Sequence, residues 1–443
     1  MDCKIIFKIF IFFFIASLFP ANSVEFKAEQ LSMTDQTEYI PYPVASDSNS
    51  VVARSGPFGV GWALSTIMTS DAKYVLFYSS DEDLITPGAE TEWLIKNTET
   101  RELKPLGKPP SLNPAASISS AKISPTGRHI GFKYRGRVFV WDRLKNSSIP
   151  ASYGSDHSPL DSYNMWSAIY PINEKIAFLT GGLRQFSITD LEEKTTKKIN
   201  TDIYNNDAEM IVSSIRPYSN DGRYIVYSTL RSQMDRNNVD NSPEQGHILY
   251  LYDRIEDNHT RIAGSSDENY ALITNNPKWF SISADGKYII YVARRPSNPE
   301  YSHYGKNSYL VMYNIETKNY EYVKDTSGLL IQGAYTPSVS NAAESISFTT
   351  RNSDYLSVED VRKPQVVYFD RVNQTMIHPS ISQRTEGPSR QDSTPIVYSN
   401  GKGVLWEGRG SGLIEGEDAR EHIYIMSKSE KAEIPEICLP YLE

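Results

Sequence analysis

A tight turn followed by an apolar strand recurs seven times in this chain, and a fixed period governs every other structural assignment. The copies are "TSDAKYVLFYSS" from Thr69, "SPTGRHIGFKYR" from Ser124, "PINEKIAFLTGG" from Pro171, "SNDGRYIVYSTL" from Ser219, "SADGKYIIYVAR" from Ser283, "SNAAESISFTTR" from Ser340 and "SNGKGVLWEGR" from Ser399. Asp-Gly or a relative supplies the turn, and the alternating apolar residues after it predict a half-buried strand. A second apolar strand follows each copy, as in "RVFVWD", "ILYLYD", "YLVMYN", "QVVYFD" and "HIYIMS". Several of these lead into a turn and a Thr/Lys-rich outer strand, as in "IETKNYEYVK". Each unit is therefore a meander of about four strands. Units start 47 residues apart at the closest (Ser124 to Pro171) and 64 at the widest (Ser219 to Ser283). Seven copies of one pattern argue against a sandwich or a stack of unrelated hairpins.

The turn, the "DGKYIIY"-type strand, the "LYLYD"-type strand and the outer strand resemble the TolB-like family of β-propeller repeats. The resemblance runs from about residue 61 to 437 and implies an all-β fold: a seven-bladed β-propeller of four-stranded antiparallel blades. Copies three and six are degraded, which leaves six or eight blades open. "EYIPYPVA", from Glu38, is a further strand able to close the ring by pairing with the last blade and covering its edge. Residues 24–60 are too few for the separate N-terminal domain of TolB itself. The resemblance thus implies a fold and leaves function to the site.

The first 23 residues read as an export signal: Lys4 and Lys8 flank the apolar run "IFIFFFIASLF", which ends at Ala21, Asn22 and Ser23. The run is shorter than the ~20 residues of a membrane-spanning helix. The expected organisation is a signal peptide, 1–23, and a single propeller domain, 24–443, secreted or periplasmic and acting as a monomer. Cys3 leaves with the signal, so Cys438 is the only thiol left and no internal disulfide can form. A formal net charge of −9 makes nucleic acid an unlikely partner for the surface as a whole, and no segment inserts in a membrane. The 29 tyrosines and 25 prolines suit a strand-rich and turn-rich chain.

In propellers, the loops from second to third strand and from one blade to the next share the ligand face. The second-to-third loops are long in units one, four, five, six and seven but shrink to "KYRG" and "LTGGLR" in units two and three. A cleft open over those two units suits a chain-like ligand. Arg135, Arg294, Arg351 and Arg409 each fall three residues after the aromatic residue of the second strand, and Arg231 four after. Guanidinium groups at one height around a face suit carboxylates and sulfates. Pairing with neighbouring loop carboxylates is the alternative.

Two inter-unit loops, "DHSPLDSYNMW" and "TDIYNNDAEM", share Asp-x-Tyr-Asn, which places His157, Tyr163 and Asn164 beside Tyr204 and Asn205 over the low side of the ring. Arg216, in the inner strand of unit four, is expected to point to the same region. His, Tyr, Asn and Arg can remove a proton next to a carboxylate, protonate the leaving oxygen and neutralise the charge that develops. The alternative is a set of ordinary surface residues. An exported seven-bladed propeller with this set resembles the propeller polysaccharide lyases, loosely those acting on ulvan, a sulfated rhamnose-uronate polymer. That resemblance implies His157 as base or acid, Tyr204 as its partner with Tyr163 in reserve, and Arg216 as the neutraliser. The family's second histidine has no counterpart unless His129, within a strand, serves. His303 and His378 have no evident partner.

Asp235, Asp240 and Glu244, with Asn237, could hold a structural Ca²⁺, although their spacing matches no known loop; otherwise no cofactor is required. The chain has no Gly-x-Ser-x-Gly elbow, P-loop, His-Glu-x-x-His pair or cysteine cluster. The sequence therefore points to an acidic-polysaccharide lyase, with a non-catalytic TolB-like propeller that binds a protein or glycan in the cell envelope as the alternative.

Overall fold

The structure, a computed structural model, describes residues 39–43, 68–79, 87, 92–107, 118–134, 137–151, 153, 169–172, 175–180, 185–202, 204, 208, 210–212, 216–230, 234, 247–264, 271–272, 279–294, 308–352, 364–379, 395–409 and 421–428. The chain divides into one unit of Pro41–Lys428 and another of Met1–Ile40 with Ser429–Glu443. The export signal falls outside the described residues. Among these residues no helix is long and apolar enough to cross a membrane.

Seven sheets follow one another along the chain. Sheet I comprises β2 (Tyr74–Ser79), β3 (Glu92–Asn97) and β4 (Leu103–Pro105). Sheet II holds β5 (Ser119–Ile123), β6 (His129–Tyr134), β7 (Arg137–Asp142) and β8 (Ser147–Pro150). Sheet III holds β9 (Ile169–Ile172), β10 (Lys175–Thr180), β11 (Gln185–Asp190) and β12 (Thr195–Lys198). In sheet IV are β13 (Ile211–Val212), β14 (Tyr224–Thr229), β15 (Ile248–Asp253) and β16 (Asn258–Gly264). Sheet V adds a strand: β17 (Ala271–Leu272) and β18 (Phe280–Ile282) both pair with β19 (Tyr288–Arg294), followed by β20 (Ser308–Asn314) and β21 (Tyr320–Tyr322). Sheet VI runs β22 (Ala334–Val339), β23 (Ser345–Thr350), β24 (Gln365–Asp370) and β25 (Thr375–Ile377).

Sheet VII contains β26 (Ile396–Val397), β27 (Gly403–Arg409) and β28 (Glu421–Lys428), and its fourth strand is β1 (Tyr39–Pro43), beside β28. The early strand thus completes the last sheet, as expected. The expectation of seven four-stranded blades needs correction. Among the described residues six sheets have four strands or more, whereas sheet I has three, with a bridge from Met68 to Val75 on the side where a fourth would run.

The second and third strands are more buried than an alternating pattern predicts: every residue of β23 and β24 is buried. A blade packed between two neighbours has no solvent face, so even Ser345, Ser347 and Thr349 lie inside. Contacts pass from sheet to sheet around a closed circuit. Ser70 N–H donates to the Pro125 carbonyl (2.9 Å), Asn220 N–H to Ala284 (2.8 Å), Asp285 N–H to Asn341 Oδ1 (2.9 Å) and Asn341 N–H to Ser399 (2.9 Å). Ser399 Oγ donates to the Ser70 carbonyl, which joins the last sheet to the first. Val138 and Val140 pack on Ile176 and Leu191 between sheets II and III, and Phe186 clusters with Ile225 and Tyr250 between III and IV.

The recurring turn now has a mechanism. Ser219 Oγ accepts the Tyr224 amide (3.0 Å) and donates to Asp221 (2.5 Å); Ser283 does the same with Tyr288 (3.0 Å) and Asp285 (2.6 Å). Thr69 repeats the arrangement in sheet I, and Ser124 and Ser340 repeat its amide bond. Gly222 lies at φ +67°, and a Cβ there would come within 2.6 Å of Ile172 Cγ2 in sheet III.

The third strand ends on an equally regular device. Asn97, Asp142, Asp190, Asp253, Asn314 and Asp370 each turn Oδ1 to the amides two and three residues on. A basic residue at or just before the start of the second strand often meets that carboxylate. Arg128 donates to Asp142 through Nε (3.2 Å) and Nη2 (2.7 Å), Arg223 forms the corresponding fork on Asp253, and Lys175 pairs with Asp190. Burial works to raise the Asp142 pKa, but the bonds from Arg128 and the Lys145 amide and the His129 and Arg128 charges outweigh it and hold the group at about 2. Asp190 and Asp253 shift downward in the same way.

Two predictions follow from these contacts. Gly222→Ala should lower stability by about 1–2 kcal/mol for the left-handed backbone and about 1–3 kcal/mol more for crowding Ile172. Gly328→Ala, where no atom lies within 4 Å of the added Cβ, should show only the first part in urea unfolding. Because the Asp142 pKa is depressed in the folded state, its contribution is present above the ordinary carboxylate value and fades as pH falls from about 4 to about 2. The melting-temperature gap between wild type and Asp142→Asn should accordingly narrow from pH 5 to pH 2.

Candidate functional site

Antiparallel order brings the second-to-third-strand connections and the sheet-to-sheet connections to the same end of every sheet. The second-to-third connections have 2 residues in sheet II (135–136) and 4 in sheet III (181–184). They have 12 in sheet I (80–91), 18 in sheet IV (230–247), 13 in sheet V (295–307), 14 in sheet VI (351–364) and 11 in sheet VII (410–420). The contrast inferred from sequence is therefore real: two adjacent sheets have short connections and the others long ones.

Tyr204 belongs to the connection that leads from sheet III into sheet IV over this low side. Asn200, fully buried, donates through Nδ2 to the Ala208 carbonyl (2.7 Å), while Ala208 N–H returns a bond to the Asn200 carbonyl (2.7 Å). Buried Asp202 accepts the Tyr204 amide at Oδ1 (2.9 Å). The loop is thus pinned at its base and presents Tyr204 outward, 57% exposed. An anchored, exposed phenol is available to a ligand without rearrangement of the loop.

Arg294 and Arg409 are the last residues of their second strands, paired in register with Ser308 and Glu421, and Arg351 immediately follows β23. The backbone therefore places these three at a common height on the loop face. Arg351 is half-buried, beside Asn352, whose amide donates to Thr350 Oγ1 (3.0 Å). Arg135, Arg231, His157, Tyr163, Asn164 and Asn205 lie outside the described residues.

Arg216 is not brought to Tyr204. It is 5% exposed, its carbonyl accepts the Ile282 amide (2.9 Å), and the charges that act on it are the Tyr218 hydroxyl and Asp285 in the sheet V turn. Its surroundings belong to the turn side of the ring, because the inner edge of sheet IV has by then passed almost to the Tyr218–Ile225 bridge. His129 also belongs to the turn side. It opens β6, its amide bonds Ser124 Oγ (3.0 Å), and its Nε2 stands 3.7 Å from Asp142 Oδ2, which is a structural setting. His378 follows β25, and burial takes its pKa down to about 4, so its imidazole is neutral at physiological pH.

Sequence reasoning missed His247. It stands immediately before β15, at the loop end of sheet IV, with Nδ1 buried and without a hydrogen-bond partner; burial lowers its pKa. The available signal was position: His247 is the first residue of "HILYLYD", where the long connection rejoins the sheet. Among the described residues no group of three or more His, Cys, Asp or Glu could hold a metal. Asp235, Asp240 and Glu244 lie outside the described residues.

No family model matches the chain, and no curated protein matches it. Solved structures do resemble it. An oligogalacturonate lyase in complex with manganese aligns with a TM-score of 0.52 at 12% identity, over 88% of this chain and 96% of that one. An oligogalacturonate lyase from Vibrio parahaemolyticus gives 0.48 at 13% identity, over 88% and 97%. A candidate TolB from Agrobacterium tumefaciens gives 0.38 at 13% identity, over 75% and 96%. The first of these likenesses establishes a shared fold and, at 12% identity, leaves activity to the residues. The chain is an all-β β-propeller with four-stranded antiparallel blades.

Proposed function

We propose that this chain is an exported lyase that lays an acidic, uronate-containing polysaccharide, ulvan-like in its mix of uronate and sulfate, across the loop face and cleaves it by β-elimination. The observation that carries the reading is the contrast in connection length, 2 and 4 residues over sheets II and III against 11 to 18 elsewhere, which leaves one side of the face low enough for a polymer to enter and leave. In the reaction a base removes the proton next to the uronate carboxylate, the bond to the glycosidic oxygen on the neighbouring carbon breaks, a carbon–carbon double bond forms, and an acid protonates the departing oxygen. His157 and Tyr204 fill these two roles, with Tyr163 in reserve and His247 a second imidazole on the same face. Arg135, Arg231, Arg294, Arg351 and Arg409 bind carboxylate and sulfate groups, and Asn164 and Asn205 hydrogen-bond the sugar. Arg216 is too buried to meet a polymer there. The likeness in fold to an oligogalacturonate lyase supports the reading at the level of architecture.

A second reading, a non-catalytic propeller that binds a glycan or protein of the envelope, is favoured by how many arginines serve the scaffold: Arg128, Arg223 and Arg371 all hold neighbouring strands or turns together. Incubation of the protein with ulvan, pectate, alginate and glycosaminoglycans, followed by ultraviolet absorbance of the unsaturated uronate, separates the two. The lyase reading expects absorbance to rise on at least one polymer, with His157→Ala and Tyr204→Phe slowing turnover by about 10²–10⁴-fold in a folded protein. Binding without any rise on all four would leave the second reading standing.

A further inference from the structure

Seven sheets in a closed circuit meet at seven joints, and the side chains at each joint decide how firmly it holds. Among the described residues an apolar cluster crosses six of these joints. One cluster gathers Ile396 and Leu405 of sheet VII, Leu76 and Leu94 of sheet I and Phe132 of sheet II. Others join sheets II to III, III to IV, IV to V and V to VI. The remaining joint, between sheets VI and VII, is built differently.

The register of sheet VI gives the reason. Directly paired residues of adjacent strands share a face. Ile346 pairs with Phe369 and Phe348 with Val367, and all four cluster with Ile290 and Val292 of sheet V. Ser345, Ser347 and Thr349 therefore lie on the opposite face with Tyr368 and Val366, and Ser338 joins them as the partner of Ser347. Bonds across the joint show this face to be turned to sheet VII. Ser345 Oγ donates to the Gly401 carbonyl (3.0 Å), the Tyr368 hydroxyl donates to the same carbonyl, and the Val397 amide donates to Ser338 Oγ (3.2 Å). In sheet VII, Ile396 and Leu405 turn to sheet I, so alternation leaves Val397, Val404 and Trp406 facing sheet VI.

Five buried hydroxyls, of Ser338, Ser345, Ser347, Thr349 and Tyr368, thus share this joint with the apolar Val366, Val397, Val404 and Trp406. A joint of hydroxyls opens at lower cost than an apolar one, because each hydrogen bond lost is replaced by one to water, whereas exposed apolar surface gains nothing in return. Ser347 Oγ is buried without a hydrogen-bond partner, so entering water supplies a bond that the closed joint lacks. We propose that the joint between sheets VI and VII is the opening point of the ring, parting reversibly in the native protein while the six apolar joints stay shut. Parting separates the ends of β23 and β27 on the loop face, so that face widens at one place, whatever it binds.

Hydrogen–deuterium exchange of the full protein, read by mass spectrometry of its peptides in urea below the unfolding midpoint, tests the proposal. Amides that donate across a joint report on it: Val397 and Asn341 between sheets VI and VII, Ser70 between I and II, and Asn220 between IV and V. Peptides holding Val397 and Asn341 should exchange at least ~10-fold faster than those holding Ser70 and Asn220. Ser347→Val, which puts methyl groups in place of the unpartnered hydroxyl, should slow exchange at Val397 and Asn341 several-fold and leave Asn220 unchanged. Ser347→Ala, which needs no added room, takes its place if the larger side chain prevents folding. Ser281→Ala is the control. Its hydroxyl is also buried and unpartnered, but Ser281 pairs with Ile290 on the joint between sheets V and VI, so exchange at Val397 should match the wild type. Equal exchange at all four amides, or a Ser347 variant whose Val397 exchange matches the wild type, would overturn the proposal. So would equal slowing of Val397 by Ser281→Ala.

Discussion

The hydroxyl-capped turn at the inner edge of five of the sheets is the interaction on which the ring depends. Ser219, Ser283, Thr69, Ser124 and Ser340 each accept the amide that begins the next strand, which fixes the direction in which the second strand leaves the turn. The same turns meet their neighbours through backbone bonds from Ser70, Asn220 and Asn341. One small motif therefore shapes the blade and joins it to the next. Since each blade relies on neighbours to cover both faces, a broken link would expose two apolar surfaces at once.

Arginine has three roles in this chain, and only position in the fold distinguishes them. After a turn glycine, Arg128 and Arg223 grip the carboxylate at the end of the third strand. Arg294 and Arg409 are the last residues of their second strands, at the loop end of the sheet. On an inner edge, Arg216 is shut in, with Nη1 shielded from solvent and without a hydrogen-bond partner.

Much of the architecture was legible in the sequence because turns and strands are local. "SADGKY" gave away its turn through Gly286 and Asp285, and "EYIPYPVA" its role through its distance from every repeat. Sheet I shows three strands among its described residues, a difference that the sequence pattern of those three does not reveal. Burial was underestimated for β23 and β24, since alternation in "SISFTT" looks the same whether the polar face meets water or another blade. The site was less legible. Tyr204 could be placed by its loop, but Arg216 could not, because nothing in the sequence between Val212 and Tyr218 tells how far the chain has descended towards the turn side.

The closing sheet has a consequence for the order of assembly. Its outer strand, β1, comes from the start of the chain, while β26, β27 and β28 come from the end, and Ser399 reaches back to Ser70. The most distant pairing in sequence is therefore the one that completes the circle, and loop closure over that span is the slowest kind of contact to form. A chain emerging from its amino end must hold β1 unpaired until all other blades exist. Completion is a single late event, and a nascent chain spends most of its synthesis as an open arc with bare edges at both ends.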